Sequence, residues 1–321
     1  MNAESMRATC SAICDEVGRV VVGQPELVRQ VLVALLARGH VLIEGVPGVG
    51  KTLLVRCLAA VLGAEFKRIQ FTPDLMPTDV TGGNVFDARK GEFHFARGPV
   101  FTQLLLADEI NRAPAKTQSS LLEAMQEASV TVDGTSRPLP APFLVIATQN
   151  PVESQGTYPL PEAQLDRFLL QLLVGHPSQQ VEKQILRNYV AGFDAARLEG
   201  AQLRRIADPA LVLAMQAFVS HVLVDEQILD YIGEIVARTR QHPAVFLGSS
   251  PRGALGLVAV ARTHAAVHGR DFVIPDDVQA YAAPVLRHRV MLQPDAELQN
   301  QRPDDVIEAI LRELPVPQGV R

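Results

Sequence analysis

A lysine and a threonine close the stretch GVPGVGKT at residues 45–52, directly after the apolar run HVLI and directly before LLVRCLAAVLG. Glycines let a backbone close tightly around an anion, and a helix starting there points unpaired N–H groups and its positive dipole end at it. Gly45-x4-Gly50-Lys51-Thr52 has P-loop spacing, with a strand-like run before it and a helix-like run after it, as that motif requires. The turn Gly45, Val46, Pro47, Gly48, Val49 and Gly50, with Leu53 leading into the helix, would cradle phosphates. Lys51 would reach the β and γ oxygens, and the Thr52 hydroxyl would sit on Mg²⁺, which prefers hard oxygen ligands and keeps waters. A glycine-rich turn with a surface lysine is the plain alternative.

Asp108 and Glu109 end the apolar run QLLLA, where two like charges are costly unless something binds them, and a metal meets that need. Asp108 can hold Mg²⁺ through water while Glu109, pointing the other way, polarises a water for attack on the γ-phosphate. A solvated strand end is the competing reading. Asn150 closes the next apolar run and can orient a water beside a phosphate without adding charge. In GSSPRGALG, Ser249 or Ser250 suits an N-cap and Pro251 the first turn, yet Arg252 brings a cation to the positive end of the helix. Two readings stand for it: an arginine that folds onto nucleotide phosphate when a helical domain closes, or an exposed side chain. From chemistry alone Asp166-Arg167 reads as a surface ion pair of little energetic worth. His264-x3-His268 has metal-chelating spacing but no third ligand, and reads as two helix-surface histidines. Asp276-Asp277 after Pro275 are accounted for by capping and the helix dipole.

These residues need a scaffold. Apolar runs at 40–45, 66–71, 104–109, 143–150 and 167–174, separated by amphipathic stretches, argue an α/β fold with a parallel sheet covered on both faces. A helix precedes them in QPELVRQVLVALLARG, started by Pro25 and stopped by Gly39. Two hairpin signals interrupt this half, NVFDARKGEFHFARG (tip 84–95) and ASVTVDGTSRPL (130–137), the second around Asp133-Gly134. After GHPS at 175–178 the strand signals fade, and 178–192, 208–222, 226–241, 252–268, 276–288 and 304–313 carry helical periodicity or caps. The division predicted is 1–176 for an α/β core and 177–321 for a small, all-helical domain.

With 321 residues the chain is long enough for two cores. Its net charge of −5 and the lack of a lysine-arginine block argue against a nucleic-acid footprint. No membrane-length apolar run and no leader-like N-terminus appear, which predicts a cytoplasmic protein. Cys10, Cys14 and Cys57 read as reduced thiols packed in the core.

Taken together, the residues resemble the AAA+ ATPases and, more narrowly, the MoxR family. GVPGVGKT resembles Walker A, LLLADEINRAP resembles Walker B, and ATQNP resembles sensor 1 with Asn150. FTPDLMPTDVTGG (71–83), GPVF (98–101) and LPEAQLDRF (159–168) narrow the resemblance to MoxR. It implies an AAA+ P-loop core with a parallel five-stranded sheet followed by a helical lid. It also implies that Arg167 is an arginine finger, that Arg252 is sensor 2, and that Val22, Gly23 and Gln24 lie by the adenine of ATP. The two hairpins would be the helix-2 insert and the pre-sensor-1 hairpin, facing a central pore. The implied activity is Mg²⁺-dependent ATP hydrolysis in a homo-oligomeric, hexameric ring that remodels or matures a client enzyme complex, often beside a von Willebrand factor A-domain partner. Three readings compete: a nucleic-acid motor, a small-molecule kinase, and a non-hydrolysing ATP sensor.

Overall fold

The computed structural model describes residues 1–46, 48–150, 156–195 and 197–317. Helices α1 (Ala3–Gly18) and α2 (Pro25–Leu36) precede β1 (Val41–Gly45), which runs through the glycine turn into α3 (Lys51–Leu62) and then β2 (Phe66–Gln70). A short α4 (Pro77–Thr81) leads to the hairpin β3 (Gly82–Asp87) and β4 (Glu92–Arg97), followed by β5 (Leu104–Asp108) and α5 (Ala115–Glu127). The second hairpin, β6 (Ser129–Val132) and β7 (Thr135–Pro138), comes before β8 (Leu144–Gln149), α6 (Glu162–Leu165) and β9 (Leu170–Val174). The rest is built from α7 (Gln179–Val190), α8 (Pro209–Val219), α9 (Glu226–Gln241), β10 (Val245–Leu247), α10 (Pro251–Val267), α11 (Pro275–Leu286), β11 (Met291–Leu292), α12 (Pro294–Leu298) and α13 (Pro303–Glu313).

Five strands form one parallel sheet in the order β2-β5-β8-β1-β9. Residues 104–107 of β5 and 144–147 of β8 are buried on both faces, which is why those runs are continuously apolar. Edge strand β2 buries only Ile69 and leaves Lys67, Arg68 and Gln70 free for other work. Because spatial order differs from chain order, the carboxyl ends of β1, β2, β5 and β8 meet along one edge, the usual place for a ligand in an open α/β sheet. Both hairpins form. Asp133 (φ +48°) and Gly134 (φ +75°) make the tight turn that the Asp-Gly pair announces. The hairpins are tied together by a hydrogen bond from Asn84 to Asp133 and by Arg137, whose guanidinium lies 4.1 Å over the Phe95 ring.

The predicted helices of the second half all appear, joined by an antiparallel pair, β10 with β11, that helical periodicity does not announce. Asp277 requires a correction. It does cap α11, accepting from the Ile274 N–H at 2.8 Å, but it is also fully buried and binds Arg270 through two bonds of 2.6 Å and His264 through one of 2.6 Å. Burial pushes its carboxyl up, and the bonds from Arg270, His264 and Ile274 outweigh this and leave it below its ordinary value. His264 is therefore an anchor between α10 and α11 and not a surface histidine. Its ring lies 4.2 Å from that of His268, and among the described residues no cluster of three or more His, Cys, Asp or Glu could hold a metal. Cys10 and Cys57 are buried and Cys14 half-buried, all as free thiols, and burial pushes Cys10 and Cys57 up to about 12. Among the described residues no helix is long and apolar enough to cross a membrane.

His40, just before β1, joins three elements. Its Nδ1 accepts from the Val145 N–H at 3.0 Å, and its Nε2 lies 3.1 Å from the Met125 carbonyl, so the neutral ring satisfies both neighbours. Burial pushes it down to about 4. Its unfolded counterpart takes a proton near pH 6.5, so between about 4 and 6.5 the unfolded state binds more protons and stability falls with pH. We expect a loss on the order of 2 kcal/mol from this residue between pH 7 and pH 5. Urea unfolding at the two pH values checks it, with a smaller gap expected in His40→Gln.

Candidate functional site

Beyond β1 the chain turns through Gly48 (φ +84°) and Gly50 (φ +82°) before α3 begins at Lys51. A Cβ at either glycine would touch nothing, so the left-handed backbone, and not lack of space, requires glycine there. No side chain caps α3, which leaves its first N–H groups to the turn, an arrangement suited to an anion. Lys51 folds back across the turn and donates from Nζ to the Gly45 carbonyl at 2.7 Å. Burial pushes its ammonium below the ordinary lysine value, while Asp108, Glu109 and Glu44 pull it the other way. Val46 is half-buried at the head of the turn, and Pro47 lies outside the described residues.

The carboxyl ends of β5 and β8 close the opposite wall. Thr148 links them: its hydroxyl donates to Asp108 Oδ1 at 2.6 Å and accepts from the Glu109 N–H at 2.9 Å. Glu109 has φ +57°, a left-handed conformation that costs roughly 1–3 kcal/mol in a non-glycine residue and is typical of functional turns. Its carboxylate accepts from Gln70 at 2.8 Å and lies 3.3 Å from Arg112. Asp108 accepts from Arg68 at 2.6 Å on Oδ2. The expectation that this pair of acids needs a metal for neutralisation is thereby corrected, because the chain supplies a cation to each. Both acids, with Gly45, Gly48, Gly50, Lys51, Thr52 and the buried Asn150, line one open cleft of about 550 Å³.

A second cavity of about 400 Å³ adjoins the first across Gly48, Gly50 and Leu53. Val20, Val21, Val22, Val49, Ile185, Tyr189 and Phe193 give it apolar walls of a size and character suited to a planar base. Gln24 lines it and is fixed by its Nε2 donating to the Val49 carbonyl at 2.9 Å. Gly23 is not among the lining residues. It supports the wall instead, because a Cβ there would come within 2.4 Å of Val181 on α7. Sequence reasoning missed Arg56, Arg68, Gln70, Ile185 and Tyr189. For Arg68 and Gln70 a signal existed, two polar side chains at alternate positions of the run FKRIQF, which a strand sends to one face.

Two arginines lie elsewhere. Arg167 occupies the turn between α6 and β9 and lines a separate polar recess of about 220 Å³ with Ser119, Glu123, Glu127 and Gln164. Among the described residues no hydrogen bond or ion pair engages its guanidinium, and its Nε is buried without a partner. Its neighbour Asp166 binds not Arg167 but the buried Arg289, at 2.7 Å, and the Ser250 hydroxyl, at 3.0 Å. Ser250 caps α10 and accepts from the Arg252 N–H, and the Arg252 guanidinium lies 3.7 Å from Asp166. Arg252 is not among the residues lining the cleft of its own chain. It stands in the first turn of α10, beside Asp166, the chain neighbour of Arg167.

The Thr52 hydroxyl and Asp108 carboxylate are hard oxygen donors on one cleft, and they fit Mg²⁺, which takes few protein ligands and keeps waters.

A family model described as "ATPase family associated with various cellular activities (AAA)" matches residues 40–170, and one described as "AAA lid domain" matches residues 237–310. A Bacillus subtilis protein called YeaC, of uncharacterised function, is 48% identical over 98% of this chain and 97% of its own. Chaperone MoxR1 of Mycobacterium tuberculosis is 46% identical over 94% of this chain and 81% of its own, and Protein MoxR of Methylorubrum extorquens is 32% identical over 94% and 93%. A crystal structure of a Cytophaga hutchinsonii protein provisionally called an ATPase superposes with a TM-score of 0.91 at 40% identity, covering 98% of this chain and 97% of that one.

Proposed function

The chain belongs to the MoxR family of AAA+ ATPases, and from that premise we propose that it binds ATP with Mg²⁺ and hydrolyses it to ADP and phosphate within a ring of like subunits, so as to remodel a partner protein. One observation carries the reading. A glycine turn with Lys51 and Thr52, the acids Asp108 and Glu109, and Asn150 share a single cleft that opens into an apolar pocket beside it. That is the division of labour an adenine nucleotide demands, with phosphates at a helix N-terminus and a base among apolar walls.

In this reading Lys51 and the turn amides hold the phosphates. Thr52 and Asp108 would hold Mg²⁺, which would supply positive charge beside the phosphates. Asn150 orients the attacking water and Glu109 accepts its proton as the bond from the γ-phosphorus to the leaving oxygen breaks. Arg167, in the turn before β9, and Arg252, in the first turn of α10, both lie outside the cleft of their own chain and serve the cleft of an adjoining subunit, and the ring is hexameric as the family resemblance implies. We divide the chain near residue 176 into core and lid. The hairpins 84–95 and 130–137, tied to each other, would face the pore. Client and von Willebrand factor A-domain partners follow from the same resemblance, and the name Chaperone MoxR1 of one relative agrees with remodelling.

The test is phosphate release from ATP measured per chain against protein concentration, alongside sedimentation velocity. We expect specific activity to rise with concentration in step with assembly. Equal activity per chain in dilute monomer would refute action between subunits, and absence of ATP turnover at every concentration would refute the reading as a whole.

A further inference from the structure

Edge strand β2 sends two side chains into the phosphate cleft, Arg68 and Gln70. Arg68 donates to Asp108 Oδ2 from Nε at 3.2 Å and from Nη2 at 2.6 Å, and Nη2 also reaches Gln70 Oε1 at 2.7 Å. The Asp108 Oδ1 receives the Thr148 hydroxyl at 2.6 Å. Two N–H groups on Oδ2 use both of its lone pairs, so the oxygen that faces away from Thr148 has none left for a metal or for a metal-bound water. Arg68 is held only at its tip. Its side chain is 47% exposed and stands on an edge strand, free to leave when a stronger cation arrives.

We propose that Arg68 is an internal counter-cation for Asp108 which Mg²⁺ must displace, so that this arginine sets the metal concentration at which nucleotide is held. The inference rests on the assignment of Thr52 and Asp108 to Mg²⁺. A partly exposed ion pair is a modest competitor, so the effect is a shift of threshold and not a block, about two- to fivefold in the Mg²⁺ midpoint.

The test uses the full chain and mant-ADP anisotropy, with Mg²⁺ titrated from an EDTA-containing start. Arg68→Gln is expected to lower the Mg²⁺ midpoint by about two- to fivefold while leaving the weak binding in EDTA unchanged. Arg56→Gln removes the same unit of charge from the same cleft without touching Asp108, and is expected to shift the midpoint less. An unchanged or higher midpoint in Arg68→Gln overturns the proposal. An equal fall in Arg56→Gln also overturns it, because the cleft's overall field would then be the cause. Weaker mant-ADP binding in EDTA by Arg68→Gln overturns it by placing Arg68 on phosphate. Wild-type binding that ignores Mg²⁺ altogether removes the metal assignment itself, and this inference with it.

Discussion

Arg167→Ala is expected to bind ATP as tightly as the parent protein and to lose about 10³-fold or more of its turnover, the scale on which an arginine supplied to a phosphoryl-transfer site acts. The structure separates the two effects. Arg167 is absent from both cavities that would take the nucleotide, so its removal leaves base and phosphate contacts in place. It is also uninvolved in holding its own turn: Asp166 is satisfied by Arg289, Ser250 and Arg252, and among the described residues no hydrogen bond or ion pair engages the Arg167 guanidinium. Truncation should therefore cost little stability, and a thermal melt near that of the parent is part of the expectation. Mant-ATP binding and steady-state phosphate release give the two numbers. A mixing experiment then tests where the arginine acts. Arg167→Ala subunits keep an intact P-loop, and Lys51→Ala subunits keep an intact Arg167, so a mixture should recover activity that neither has alone. No recovery in mixtures that demonstrably co-assemble, or normal turnover by Arg167→Ala, would sink the trans assignment.

What the sequence made legible followed from how local the physics is. The glycine turn, the capped helices 209–219 and 251–267 and the Asp133-Gly134 hairpin are each set by neighbours within four residues, and each forms as read. The central strands β5 and β8 were legible because burial on both faces leaves a continuous apolar run, whereas edge strand β2 buries only Ile69 and was read from its flanking Phe66 and Phe71. The first helix, Ala3–Gly18, was not read although its buried residues Met6, Cys10, Ile13 and Val17 recur at helical spacing; what no local pattern tells is that this face packs on α3 and α10, far along the chain. Asp277 shows the same limit from the other side. Its position after a proline explains a cap, and nothing local tells that Arg270 and His264 converge on it in the interior. The site divides in the same way. Lys51, Thr52, Asp108, Glu109 and Asn150 could be read because strand ends carry them to one edge. For Arg68 the alternation with Gln70 tells only that the two share a strand face; that this face meets Asp108 depends on β2 lying beside β5, which is a matter of strand order. For Arg252 the helix start left two readings open, a phosphate contact or an exposed side chain, and its contact with Asp166 spans the two halves of the fold, where no local pattern announces it.

Glu109→Gln is expected to bind ATP and hold it, with turnover reduced by about 10²- to 10⁴-fold, the usual worth of a positioned general base. The substitution is isosteric and keeps a carbonyl oxygen for the bond from Gln70, so the strained left-handed backbone at this position and its tie to Thr148 should survive. What disappears is the charge that takes a proton from water. Arg112 loses an ionic partner 3.3 Å away, but that pair is partly exposed and contributes little to stability. The Asp108 side of the cleft, with Thr148 and Arg68, is untouched, so affinity for ATP and its dependence on Mg²⁺ should match the parent. Single-turnover phosphate release measures the loss, and gel filtration of protein loaded with radiolabelled ATP measures retention. Turnover within a few-fold of the parent would mean that Glu109 is only a strand-end acid and that water is activated by another group. Loss of ATP binding would mean that its carboxylate supports the cleft's structure. Retained ATP without hydrolysis would separate gripping the nucleotide from cleaving it, and a protein held in that state is the right bait for the partner on which the ring acts.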